Sequence, residues 1–77
     1  MADNFPTHYR VAVVVPKDVI EVDGQPWRVV AARSGKVVRE LQLKHAQLPN
    51  RTRTIRRRLR DAAGAELRIR MLQPYVC

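Results

Sequence analysis

The sequence predicts an all-β fold, with five or six short strands in one small, strongly bent sheet that closes into a barrel. Three features carry that reading. β-Branched segments flank an Asp23-Gly24 turn, Glu66-Leu-Arg-Ile-Arg-Met71 alternates apolar with charged residues, and turn signals punctuate the chain at short intervals. Seventy-seven residues allow a single domain, near the size limit at which a hydrophobic core alone suffices. An apolar fraction of 45% belongs to a globular chain rather than a disordered one.

Met1 to about Thr7 reads as a polar, poorly ordered arm, so the chain divides into a flexible segment 1–9 and a barrel domain 10–77. Val11–Val15 is a β-branched run ended by Pro16, which suits a first strand. In the next hairpin, Asp23 and Gly24 supply the two positive-φ residues of a type I′ turn. Val22 then faces Gln25, Ile20 faces Trp27 and Asp18 faces Val29. Ile20, Val22, Trp27, Val29 and Ala31 share an apolar face, with Glu21 and Arg28 on the other. Pro26 lacks an amide hydrogen and places its end of the strand on an edge or a bulge.

Ser34-Gly35-Lys36 is a second tight turn. Beyond it, Val37, Leu41 and Leu43 share one parity, with Arg39 interrupting. A helix would also place Val37, Leu41 and Leu48 on one stripe, with Glu40 and Lys44 as an i,i+4 ion pair. Residues 37–63 therefore read either as strands or as a helix–turn–helix whose second helix is basic. The segment after Arg60 favours strands, because Asp61-Ala-Ala-Gly-Ala65 fits a three-residue hairpin loop with Gly64 in the left-handed position. In that hairpin Leu59 faces Leu67 and Ile55 faces Met71 on the buried side. Arg58 lies opposite Arg68, and Arg56 opposite Arg70, on the exposed side. Like charges facing each other across a ladder destabilise it, so two such rungs point to a bridging anion. Arg57 falls on the inward parity and is expected at a bulge or at the barrel rim.

Charge is unevenly spread. Residues 1–35 are neutral, whereas residues 36–77 carry eleven cations against three acids and account for the net charge of +8. Arg51–Arg60 holds six arginines in ten residues. Guanidinium groups stay charged and present a fork of donors that fits phosphate oxygens. A partner rich in phosphate is the expectation.

Enzymatic chemistry is not expected. The chain has one serine (Ser34), one cysteine (Cys77) and two histidines, with no zinc-ligand spacing and no complete phosphate-binding glycine loop. His8 and His45 are expected to be solvated. No metal, cofactor or small-molecule substrate is implied. No apolar run approaches a membrane span and no signal peptide is visible, which with a lone cysteine suits the cytoplasm.

The segment Val19-Ile-Glu-Val-Asp-Gly-Gln-Pro-Trp-Arg-Val-Val30 resembles the opening hairpin of the N-terminal domain of translation elongation factor P and its relatives. The Gly35-Lys36 turn and the basic strand ending Leu41-Gln-Leu-Lys44 come in the same order. That resemblance implies an SH3-like barrel of the KOW type, a scaffold used on RNA, on ribosomes and on transcription complexes. Lys36 loosely matches the position of the family's modified lysine, although the loop here is several residues shorter and lacks the surrounding proline and glycines. The family's later oligonucleotide-fold domains have no counterpart in these 77 residues.

The expected function is nucleic-acid binding through phosphate contacts, of RNA or DNA, without strong sequence specificity. The expected ligands of phosphate are Arg51, Arg53, Arg56, Arg58, Arg60, Arg68 and Arg70, with Arg33 and Lys36 at a neighbouring turn. Trp27 is expected in the core, and Tyr9 and Tyr75 either stack on bases or pack on each other. The alternative is an adaptor or inhibitor that docks on an acidic protein surface.

Overall fold

The computed structural model describes residues 8–75 and is all-β. Six strands, β1 (His8–Arg10), β2 (Val19–Val22), β3 (Gln25–Ser34), β4 (Val38–His45), β5 (Thr52–Arg58) and β6 (Arg68–Gln73), form one antiparallel sheet in the order β1-β6-β2-β3-β4-β5. The sheet is bent but not closed into a continuous barrel, and β1 and β5 are its two edges.

Each strand places alternate residues on a common concave face. Val11, Val14, Ile20, Val22, Trp27, Val29, Leu41, Leu43, Ile55, Ile69 and Met71 form one core, with Tyr9, Ala32, Leu59 and Leu67 packed against it. Burying an aliphatic side chain of this size contributes about 1.5–3 kcal/mol.

The β2–β3 hairpin has the expected register, Val22 with Gln25 and Ile20 with Trp27, around Asp23 (φ 53°) and Gly24 (φ 77°). Pro26 sits where β4 has already ended at His45, so its missing amide hydrogen breaks no ladder. β4 and β5 are strands, and the helix–turn–helix reading of 37–63 is set aside.

Three expectations about strands need correction. Val11–Val15 is not a strand: Val11–Val13 form a 3₁₀ turn after β1, whose i,i+3 geometry buries Val11 and Val14 together. Val15-Pro16-Lys17-Asp18 then makes a type II turn, with Lys17 at φ 81° and Asp18 N–H donating to the Val15 carbonyl at 3.2 Å. Second, Ala31 is not on the core face. Val30 is an extra residue opposite β4, between the pairs Val29–Leu43 and Ala31–Gln42, and this bulge turns Ala32 inward instead.

Third, β5 and β6 do not form a ladder. The hairpin has the expected register only at its mouth, where Arg60 bridges Glu66 and Leu67 N–H donates to the Leu59 carbonyl at 2.9 Å. The strands then diverge. β5 pairs with β4, setting Ile55 beside Leu41, and β6 pairs with β1 and β2, setting Met71 beside Ile20. The rungs Arg58–Arg68 and Arg56–Arg70 therefore do not exist. Arg56 faces Glu40, and Arg70 lies 3.7 Å from Glu21. This pairing gives Arg56 and Arg70 acidic neighbours, sets Arg58 opposite Val38 and Arg68 opposite Arg10, whose charge is paired with Glu66, and buries both strands' apolar residues in one core.

Candidate nucleic-acid interface

The bulge at Val30 decides where Arg33 points. In an unbroken strand Arg33 would share the inward parity of Val29; beyond the bulge it lies opposite Glu40, which in turn lies opposite Arg56. One row across the convex face thus reads Arg33–Glu40–Arg56. Arg56 engages Glu40 through Nε alone, at 3.3 Å, and its side chain is 76% exposed. Exposed pairs of this kind are worth about 0–1 kcal/mol, so a phosphate can compete for the guanidinium.

The next row adds Arg58, opposite Val38. The Val37 carbonyl accepts a hydrogen bond from Leu59 N–H at 2.8 Å, which ties the β3–β4 turn to the end of β5. Two adjoining shallow depressions result. One, of about 370 Å³, is lined by Arg33, Ser34, Gly35, Val38, Glu40 and Arg56. The other, of about 160 Å³, is lined by Lys36, Val37, Arg58, Leu59, Arg60 and Asp61. Asp61 is occupied within its own turn, where its carboxylate accepts from Ala63 N–H and Ala65 N–H at 2.9 and 3.0 Å. Among the described residues no carboxylate pairs with Arg33, Lys36 or Arg58.

Five of the nine expected residues, Arg33, Lys36, Arg56, Arg58 and Arg60, therefore meet at one end of β3–β4–β5. The other four are elsewhere. Arg51 and Arg53 lie toward the opposite end of β5, about 10–17 Å from Arg56 at the rise of an extended strand. Arg53 is half-buried over the Trp27 ring, 5.5 Å from its centroid, and pairs with Asp23 at 3.1 Å. It braces the core rather than presenting its charge. Arg68 and Arg70 sit on β6 between β1 and β2, where Arg70 is beside Glu21 and Arg68 Nη1 donates to the His8 carbonyl at 3.5 Å.

The family models, the curated proteins and the solved structures that were compared with the chain give no match. The geometry alone therefore carries the functional reading.

Sequence reasoning missed two side chains. His45 is not a solvated loop residue. It closes β4, is 3% exposed, and meets Trp27 edge-on with ring centroids 5.0 Å apart. Its Nδ1 accepts from Gln47 N–H and Leu48 N–H, both at 3.1 Å, which leaves Nε2 to donate to Gln25 Oε1 at 3.1 Å. Arg39 is buried on the inner face, and its Nη1 donates to the Val11 carbonyl at 2.6 Å. Desolvation holds its pKa below the ordinary guanidinium value. The interrupted apolar parity of β4 was the available signal for Arg39.

Among the described residues no aromatic side chain lines the interface. Trp27 is buried, as expected, and Tyr9 packs on the core. Tyr75 lies beneath Lys17, whose Nζ is 5.0 Å from the ring centroid, rather than against Tyr9. Among the described residues there is no cluster of three metal-ligating side chains and no helix long and apolar enough to cross a membrane. Cys77 and Phe5 lie outside the described residues.

Proposed function

We propose that this protein binds nucleic acid through phosphate contacts at the convex end of β3–β4–β5, as a non-catalytic, cytoplasmic binding module. The observation that supports the reading is the convergence of Arg33, Lys36, Arg56, Arg58 and Arg60 around two adjoining depressions. Two acids stand among them, Glu40 beside Arg33 and Arg56, and Asp61, whose Oδ1 accepts two amides of its own turn, beside Arg58 and Arg60. Guanidinium and ammonium groups on an open sheet face neutralise backbone phosphates without reading bases. The absence of a stacking aromatic among the described residues of this face goes with backbone recognition rather than with base recognition.

A salt titration tests it. Binding to a short DNA or RNA duplex is expected to weaken with salt along a log–log line, by about 0.9 in slope per phosphate contact on B-DNA. Lys36→Gln/Arg58→Gln should lower that slope by about two contacts, whereas Arg51→Gln/Arg53→Gln at the far end of β5 should leave it nearly unchanged. Equal losses from both pairs would mean that net charge, not this site, attracts the ligand. An absence of binding at low salt would remove the reading altogether.

A further inference from the structure

A second surface lies along the outer side of β5. This strand pairs with β4 alone, and neither a bulge nor a proline interrupts its seven residues. Hydrogen bonds at its two ends fix the phase of the ladder, His45 N–H to the Arg51 carbonyl and Leu59 N–H to the Val37 carbonyl, both 2.8 Å. Odd-numbered residues of β5 therefore exchange bonds with β4, and the amides of Thr52, Thr54, Arg56 and Arg58 point to the open side. Along that side Arg57 Nη1 reaches back to the Arg56 carbonyl at 3.3 Å.

We infer that the β5 edge takes up an extended acidic segment of a partner protein as a seventh strand, with acidic and apolar residues alternating along it. The alternation follows from the flanking side chains. On the convex face an added strand lies beside Arg56 and Arg58; on the other face it lies beside Ile55 and the half-buried Leu59, with the exposed Arg57 between them turned back to the Arg56 carbonyl. Main-chain hydrogen bonds supply the attachment and alternate side chains the selectivity. A second copy of this chain is the wrong occupant. Four of the seven β5 residues are arginine and none is acidic, so β5 against β5 would set like charges across the new ladder. The other edge offers less, since β1 is three residues long. This interaction does not rest on nucleic-acid binding, which uses side chains at one end of the sheet rather than the strand's open amides.

The probe is a blocked octapeptide of alternating glutamate and valine, compared with one in which proline replaces each valine. Both carry the same charge, but only the first can join a ladder. NMR titration of the folded protein is expected to show binding of the glutamate–valine peptide. At saturation it should slow hydrogen exchange at Thr52, Thr54, Arg56 and Arg58 by about tenfold or more, with no such protection from the proline peptide. Thr54→Pro removes one outward amide without touching the β4 ladder, and should weaken the valine peptide by about tenfold while Thr54→Ala does not. Equal binding of the two peptides, binding without protection of those four amides, or no binding at millimolar peptide would each overturn the proposal. If duplex binding persists in the same samples, the nucleic-acid reading stands while this one falls.

Discussion

Asp18 shows how much of this small fold depends on single buried polar groups. It is 3% exposed, and its carboxylate accepts Val15 N–H at 2.9 Å and Tyr75 N–H at 2.6 Å, joining the turn before β2 to the segment after β6. Asp18→Ala orphans both amides and should cost about 2–4 kcal/mol in urea unfolding, while Asp18→Asn, which keeps an acceptor, should cost less. Arg39 plays a comparable part on the opposite side of the core, spanning from β4 to the Val11 carbonyl. Its lowered pKa still leaves it charged at neutral pH, so the penalty for burying that charge is present throughout the neutral range. It would be relieved only as pH rises through the lowered value, and Arg39 should add no slope to stability near pH 7. Arg39→Ala is expected to lose about 1–3 kcal/mol through the unpaired carbonyl and lost packing, measured at constant pH. Glu40 acts differently. It is the one acid in the Arg33–Glu40–Arg56 row, so Glu40→Gln should tighten duplex binding severalfold at low salt while changing stability by less than about 1 kcal/mol. Weaker binding by that variant would show that Glu40 positions Arg56 rather than competing for it.

Turns and bulges position the elements, and their cost can be measured without disturbing the core. Gly24 (φ 77°) and Gly64 (φ 87°) both have open space where a Cβ would sit, so Gly→Ala at either tests backbone conformation alone. Each should lower stability by about 1–2 kcal/mol. Only Gly64→Ala should also affect ligand binding, because the Gly64 carbonyl accepts from Arg60 Nη1 at 3.0 Å. An unchanged unfolding midpoint in both variants would mean that the turns relax to other types. The Val30 bulge works on a larger scale. By adding one residue to β3 it turns Ala32 into the core and Arg33 onto the convex face, and so completes the basic row.

Across the whole molecule, the order of strands separates charges that the chain places side by side. β5 and β6 share one hairpin, yet β2, β3 and β4 lie between them in the sheet. The arginines of the hairpin consequently separate, Arg56, Arg58 and Arg60 to the end of β3–β4–β5 and Arg68 and Arg70 to β1–β6–β2, the second group interleaved with Glu21 and Glu66, while Arg51 and Arg53 lie apart from both. The first should govern phosphate binding and the second should not. Arg68→Gln/Arg70→Gln is thus expected to leave the salt slope nearly intact, despite removing two of the chain's fifteen cations.

Local pattern carries what depends on neighbours in the chain. Periodicity and turn chemistry specify the all-β class, the Asp23-Gly24 hairpin with its register, the strand character of Arg51–Arg60 and the start of the Asp61–Ala65 turn, since each rests on side-chain alternation or on a backbone angle that few residues adopt. Partner choice between strands lies outside that information. Whether Ile55 is buried against Leu41 or Met71 depends on how the whole sheet bends round one core, and either pairing satisfies the same alternation. The bulge at Val30 carries no glycine or proline to announce it, and the acids that neutralise Arg53, Arg56 and Arg70 come from 16 to 49 residues away. A buried His45 is likewise legible only once β4 is long enough to carry it over Trp27. A β-sheet domain with an excess of arginine is therefore written in the order of the amino acids. Which arginines share a surface is settled only in three dimensions, because the folding of the sheet groups the charges irrespective of their order in the chain.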